Sequence, residues 1–141
     1  MARDRGSLTW VQALGLVIGG VYLLIGVVGF FLIGFDGFFE MGDETLLGFM
    51  INPAHNVVHV LIGIAGLALS RTLAGARTKG GLLAVGYGAA FIYGPFADGN
   101  PDINFLNINA ADNVLRAVCA IAGLVLALAP VKSDARRGTV V

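Results

Sequence analysis

The sequence predicts an all-α integral membrane protein: four transmembrane helices arranged as a duplicated helical hairpin, forming a compact bundle with both termini inside. Three observations carry this. Of 141 residues, 57% are hydrophobic and 13% charged, with a mean hydropathy of +0.83, which leaves too little polar surface to cover a water-exposed globule. Long stretches carry no charge at all. The basic residues fall almost entirely on one side of those stretches.

No Asp, Glu, Lys or Arg occurs from Gly6 to Phe35 (30 residues), Thr45 to Ser70 (26) or Gly80 to Ala97 (18), and ~20 apolar residues carry a helix across ~30 Å of hydrocarbon. The spans are read as about 8–35, 53–70, 80–97 and 110–130, the fourth with Asp112 and Arg116 at a polar entrance. They make one domain over 1–141, with repeats at about 8–70 and 80–130. The first span is too long for a secretory signal, and no small-x-small cleavage site follows it before Asp36, so it is expected to remain as a helix.

Arg3 and Arg5 precede the first span, Arg71, Arg77 and Lys79 fill the second connection, and Lys132, Arg136 and Arg137 follow the fourth. The first and third connections hold Asp36, Glu40, Asp43, Glu44, Asp98 and Asp102 and no basic residue. By the positive-inside rule both termini are cytoplasmic. The net charge of zero offers no face for nucleic acid. The lone Cys119 excludes an intrachain disulfide, a Cys-x-x-Cys pair and a thiolate metal cage.

A shift of 57 residues places Asn52-Pro-Ala-His-Asn-Val-Val-His over Asn109-Ala-Ala-Asp-Asn-Val-Leu-Arg, and Ile64-Ala-Gly-Leu over Ile121-Ala-Gly-Leu. The first and third spans align more loosely at a shift of 60, pairing Gly20 with Gly80, Gly26 with Gly86, Phe31 with Phe91 and Gly34 with Gly94. Because each unit holds two spans, a pseudo-twofold axis along the membrane normal is expected.

On a helix, Asn52, His55, Asn56, His59, Gly63 and Gly66 share one face, as do Asn109, Asp112, Asn113, Arg116, Ala120 and Gly123. Polar groups facing lipid are costly, so both stripes should point into the bundle, near the outward end. Gly80, Ala84 and Gly88, with Gly86, Ala90 and Gly94, form small-residue ridges on the third span, and Gly15 with Gly19 a shorter one on the first.

The pattern Asn52-x-x-His55-Asn56-x-x-His59-x-x-x-Gly63-x-x-Gly66, followed by Asn109-x-x-Asp112-Asn113, resembles the bacterial four-helix membrane proteins catalogued as domain of unknown function 4383. The resemblance covers nearly the whole chain. It implies a small multi-pass protein of the bacterial plasma membrane and implies no established activity.

His55 and His59, spaced i, i+4, are the candidate metal ligands, with Asp112 and Arg116 at the same depth by the repeat. Two nitrogens and one carboxylate make an incomplete site, and a guanidinium beside them repels a cation, so no metal and no cofactor are expected. The favoured reading is structural. Asn52 and Asn109 are N-caps, Pro53 suits the first helical position, and Asp112 completes a capping pattern and precedes Arg116 by four, the favourable order for an ion pair. Gly63, Gly66, Gly80, Gly86, Gly94 and Gly123 are expected at helix contacts.

Trp10, Phe35, Phe38 and Phe39 read as interfacial anchors. Gly42-Asp43-Glu44 and Asp98-Gly99-Asn100-Pro101-Asp102 read as turns, Tyr22, Tyr87 and Tyr93 as packing residues, and Cys119 as a small hydrophobe. The sequence offers no nucleophile–base pair, phosphate loop or complete metal set. The expected role is a non-catalytic accessory or scaffold subunit that sits in the bilayer beside other membrane subunits or its own copies. The alternative is a small transporter or channel, or a metal- or proton-handling protein using His55, His59, Asp112 and Arg116. A drug exporter of the small multidrug kind wants a carboxylate in its first span, which is lacking. Haem held between two histidines wants opposed helices, whereas both histidines here share one face.

Overall fold

The computed structural model describes residues 7–131, folded as α1 (Trp10–Ile33), β1 (Thr45–Leu46), β2 (Phe49–Met50), α2 (Pro53–Leu69), α3 (Leu73–Ala97) and α4 (Ala110–Leu128). Arg3, Arg5, Lys132, Arg136 and Arg137 lie outside the described residues. Helices α1, α3 and α4 are long and apolar enough to cross a membrane, while α2 is a shorter apolar helix of 17 residues.

Each helix starts at a side-chain cap. Thr9 Oγ1 accepts from Gln12 N at 3.2 Å while Gln12 Oε1 accepts from Thr9 N at 3.1 Å, and this reciprocal box satisfies two donors that an α-helix leaves orphaned. At the other end of α1 the chain turns at Gly34, whose φ of 69° suits glycine. Asn52 Oδ1 accepts from His55 N at 2.8 Å, with Pro53 as the first residue of α2. Asn109 Oδ1 accepts from Asp112 N at 2.9 Å, and Asp112 Oδ2 accepts from Asn109 N at 3.1 Å.

The third helix begins seven residues before the expected 80, at Leu73. Arg77 and Lys79 therefore stand on its first turns, and the second connection shrinks to a few residues. Charge keeps a segment out of hydrocarbon but does not stop it being helical, and Thr72 supplies the cap by accepting from Gly75 N at 3.0 Å. Arg77 donates from Nη1 to Ala127 O at 2.8 Å and from Nη2 to Ala129 O at 3.0 Å, satisfying carbonyls at the C-terminal end of α4.

One element is not announced by hydropathy. β1 and β2 pair antiparallel, Thr45 opposite Met50 and Leu46 opposite Phe49. The turn between them places Leu47 and Gly48 at φ 55° and 86°, both positive as the type I′ form of a two-residue hairpin turn requires.

The helices pack along one another within two pairs, α1 with α2 and α3 with α4, and touch only sparsely between pairs. Glycine sets this contrast. A β-carbon on Gly63 would lie 2.5 Å from Leu23 N, one on Gly80 2.6 Å from Ala127 N, and one on Gly123 2.6 Å from Ala84 N. Backbones therefore meet directly within each pair. The expected compact bundle is thus two close-packed pairs with looser ground between them. Outside, Leu24, Phe31, Leu61, Val85, Ile92 and Ile121 are exposed, while inside, polar side chains are as prominent as apolar ones.

Candidate functional site

Most of the buried polar side chains gather toward the end of the bundle that carries the β-hairpin. His55, Asn56 and His59 are buried on α2, and Asp112 and Arg116 are buried on α4. Placed near helix starts, all lie within the first two turns of their helices. Asn113, one residue past Asp112, aims its amide at Gly94 on α3, and Asn56 aims its amide at Gly29 on α1. A β-carbon at either glycine would collide with the facing amide.

A chain of rings crosses the interior. His55 Nδ1 donates to Met50 O at 3.1 Å, since a carbonyl can only accept. Its ring meets His59 edge to face at 4.6 Å between centroids, and His59 meets Tyr22 the same way at 5.2 Å. Such T-shaped contacts are the packing geometry of aromatic rings. Tyr22 in turn lies 5.9 Å from Tyr87 and donates its hydroxyl to Cys119 Sγ at 2.8 Å. Cys119 is thus a hydrogen-bond acceptor as well as a small apolar group.

The anticipated Asp112–Arg116 pair does not close. Asp112 Oδ2 is engaged by the Asn109 backbone, no hydrogen bond among the described residues joins the two side chains, and Arg116 Nη1 is buried without a hydrogen-bond partner. The capping box holds the carboxylate at the start of α4. His59 Nδ1 is likewise buried and unpartnered.

His59 and Arg116 line the same cavity of about 350 Å³, between α2, α3 and α4, together with His55 and Asp112. Its remaining walls are largely apolar, among them Ile62, Leu83 and Leu115. Among the described residues no group of three or more His, Cys, Asp or Glu side chains could hold a metal ion.

Of the small residues, Gly63, Gly66, Gly80, Gly94 and Gly123 sit at close contacts. Gly86 does not: a β-carbon there would meet nothing within 4 Å, and the residue lines the cavity instead. Hydropathy reads glycine as small without telling which helix face points to a neighbour.

Two sets of buried polar residues escape the sequence pattern. Lys79, 3% exposed, donates from Nζ to Gly15 O at 2.6 Å and lines the far end of the cavity. Its charge reads as a connection residue, because nothing in the sequence says that the helix has already begun. Asn104 and Asn107 are fully buried in the loop before α4. Asn104 brackets Ile108, accepting from its N at 2.7 Å and donating to its O at 2.9 Å. Asn107, at φ 53°, donates to Gly42 O and Ile51 O at 3.0 and 3.1 Å. The density of asparagine from Asn100 to Asn109 is the available signal, since asparagine tolerates left-handed backbone and bonds loop carbonyls.

Fold and site together define a class: a helical protein with three helices apolar and long enough to cross a membrane, enclosing a polar layer at one end. Within that class, the chain belongs to the family described as domain of unknown function DUF4383, whose model matches residues 12–129. The chain matches no curated protein and no solved structure.

Proposed function

We propose that this protein is a four-span, non-catalytic component of the bacterial plasma membrane, with both termini cytoplasmic, acting as an accessory or scaffold subunit by association within the bilayer. The observation that carries the reading is the use of the polar layer. Its buried side chains cap helices, tie loops, stack on one another or line a cavity, and no hydroxyl or thiol among the described residues shares a hydrogen bond with a histidine. A nucleophile needs such a base within reach. The edge-to-face imidazoles of His55 and His59 likewise favour packing over metal or proton handling.

As the fourth span, α2 is about 25 Å long at ~1.5 Å per residue, close to a thin bilayer's hydrocarbon thickness. It lies along α1, itself long enough to cross a membrane. The duplicated hairpin is supported by a register of 65 residues between α1 and α3, replacing the 60 that glycine matching gives. At 65, Gly15 aligns with Gly80, Tyr22 with Tyr87 and Gly29 with Gly94. The Gly29 and Gly94 contacts then fall on Asn56 and Asn113, themselves 57 apart. A second cavity, about 220 Å³, lies beside α1 and α4, where Ile18, Val21, Tyr22 and Ile25 correspond to Leu83, Gly86, Tyr87 and Ala90 of the first. Glycines mislead the alignment because Gly20 and Gly86 face no neighbouring helix.

The test is purification in mild detergent at native expression, with His55→Gln and His59→Gln beside the wild type. A stoichiometric complex that persists in both variants is the expected result. Loss of a cellular phenotype in either variant, with expression, folding and the complex intact, would replace this reading with the ligand or proton one.

A further inference from the structure

The cavity between the helix pairs combines three features. Its volume of about 350 Å³ lies in the range of ligand pockets, roughly 300–1,000 Å³. Its walls are largely apolar, and exposed Leu82 stands at its edge, so it opens sideways between α2 and α3 toward the apolar surroundings. At its polar end stands Arg116, 6% exposed. A guanidinium carries five N–H donors and no acceptor, and Arg116 Nη1 has no hydrogen-bond partner.

Asp112, four residues earlier on α4, is the opposite charge at this end of the cavity, but no hydrogen bond among the described residues joins it to Arg116. Asp112 is held by the Asn109 backbone, and the second cation at the cavity, Lys79, gives its ammonium to Gly15 O. With two cations against one engaged carboxylate, the lining complements an anion. His59, whose Nδ1 is also unpartnered, is a further residue of the lining. Arg116 stands about 9 Å along α4 from its start at ~1.5 Å per residue, at the end of the cavity that also holds His55 and Asp112.

We propose that this cavity binds a single-chain anionic amphiphile from the bilayer, its oxyanion on Arg116 and its hydrocarbon chain along the apolar wall beside Gly86. The inference rests on the reading of the chain as a membrane protein that binds rather than transforms. Arginine suits the head group because its planar fork matches a carboxylate. Gly86 suits the chain because the space beside it is open, whereas Val21 occupies the corresponding place in the smaller cavity. That smaller cavity has no arginine in its lining.

The experiment uses the full chain in a neutral detergent, with palmitate as the probe and hexadecanol as its uncharged match. Palmitate should bind saturably and raise the melting temperature, and hexadecanol should do neither. Arg116→Gln should weaken palmitate at least about tenfold, the scale of one charge-assisted hydrogen bond. Gly86→Leu should abolish binding while the protein remains folded. Gly20→Leu, where a β-carbon also meets nothing within 4 Å but which lines neither cavity, should bind as the wild type does. Equal binding of hexadecanol and palmitate, or undiminished binding in Gly86→Leu, would overturn the proposal. Phosphatidylglycerol protecting where palmitate does not would overturn the single-chain assignment. Failure to bind, with no turnover detected, sinks the ligand alone. A time-dependent chemical change in bound palmitate sinks the non-catalytic reading instead.

Discussion

Asn52 and Asn109 perform the same two tasks from positions 57 residues apart. Each caps its own helix through Oδ1, and each reaches across with Nδ2 to a loop of the other helix pair. Asn52 donates to Phe105 O at 2.8 Å, and Asn109 donates to Gly48 O at 3.1 Å. The two acceptors are also 57 apart. This exchange fastens the pairs at the hairpin end, where their helices touch little.

Replacing either asparagine with alanine should therefore cost more than a cap. A loss of about 1–3 kcal/mol is expected at Asn52 from cap and part-buried tie together, and a smaller one at Asn109, whose tie is exposed, read as thermal or denaturant stability in detergent. Aspartate keeps the capping oxygen and lacks the Nδ2 donor, so Asn52→Asp should fall between alanine and wild type. Wild-type stability in Asn52→Asp would show that the cross-tie contributes nothing.

Gly123 and Gly86 should respond oppositely to enlargement. Gly123→Val drives a side chain into the Ala84 backbone and should destabilise by about 1–3 kcal/mol or more. Gly86→Val enters open space and should change stability by no more than about 0.5 kcal/mol. Equal melting temperatures for the two variants would contradict the packing.

Asp112 separates capping from charge pairing. Because its carboxylate serves Asn109 N, Asp112→Asn keeps an oxygen acceptor and should retain most of the stability, while Asp112→Ala should lose about 1 kcal/mol. If pairing with Arg116 were its main contribution, asparagine would be as damaging as alanine.

Topology is open to cysteine labelling in a Cys119→Ala background. A membrane-impermeant maleimide added to intact cells should modify Asp43→Cys and Asp102→Cys and spare Arg71→Cys, all three being exposed positions. Labelling of Arg71→Cys alone would invert the proposed orientation.

Charge-free stretches and caps are properties of single segments, so the sequence by itself determined that the chain is helical, where the helices begin at Asn52 and Asn109, and which faces carry the polar stripes. It also carried the family. Tertiary structure decided what those segments meet. Arg77 and Lys79 read as loop charges until α3 is seen to start at Leu73, since helicity and exclusion from hydrocarbon are separate constraints. Gly86 and Gly123 are alike in the sequence and opposite in the fold, because only the neighbouring backbone distinguishes contact from open space. Asp112 and Arg116 have ideal spacing for a pair, yet Asp112 Oδ2 accepts from Asn109 N and no hydrogen bond among the described residues joins the two side chains. Arg116 lines the cavity between the pairs, a placement in space that no residue spacing records.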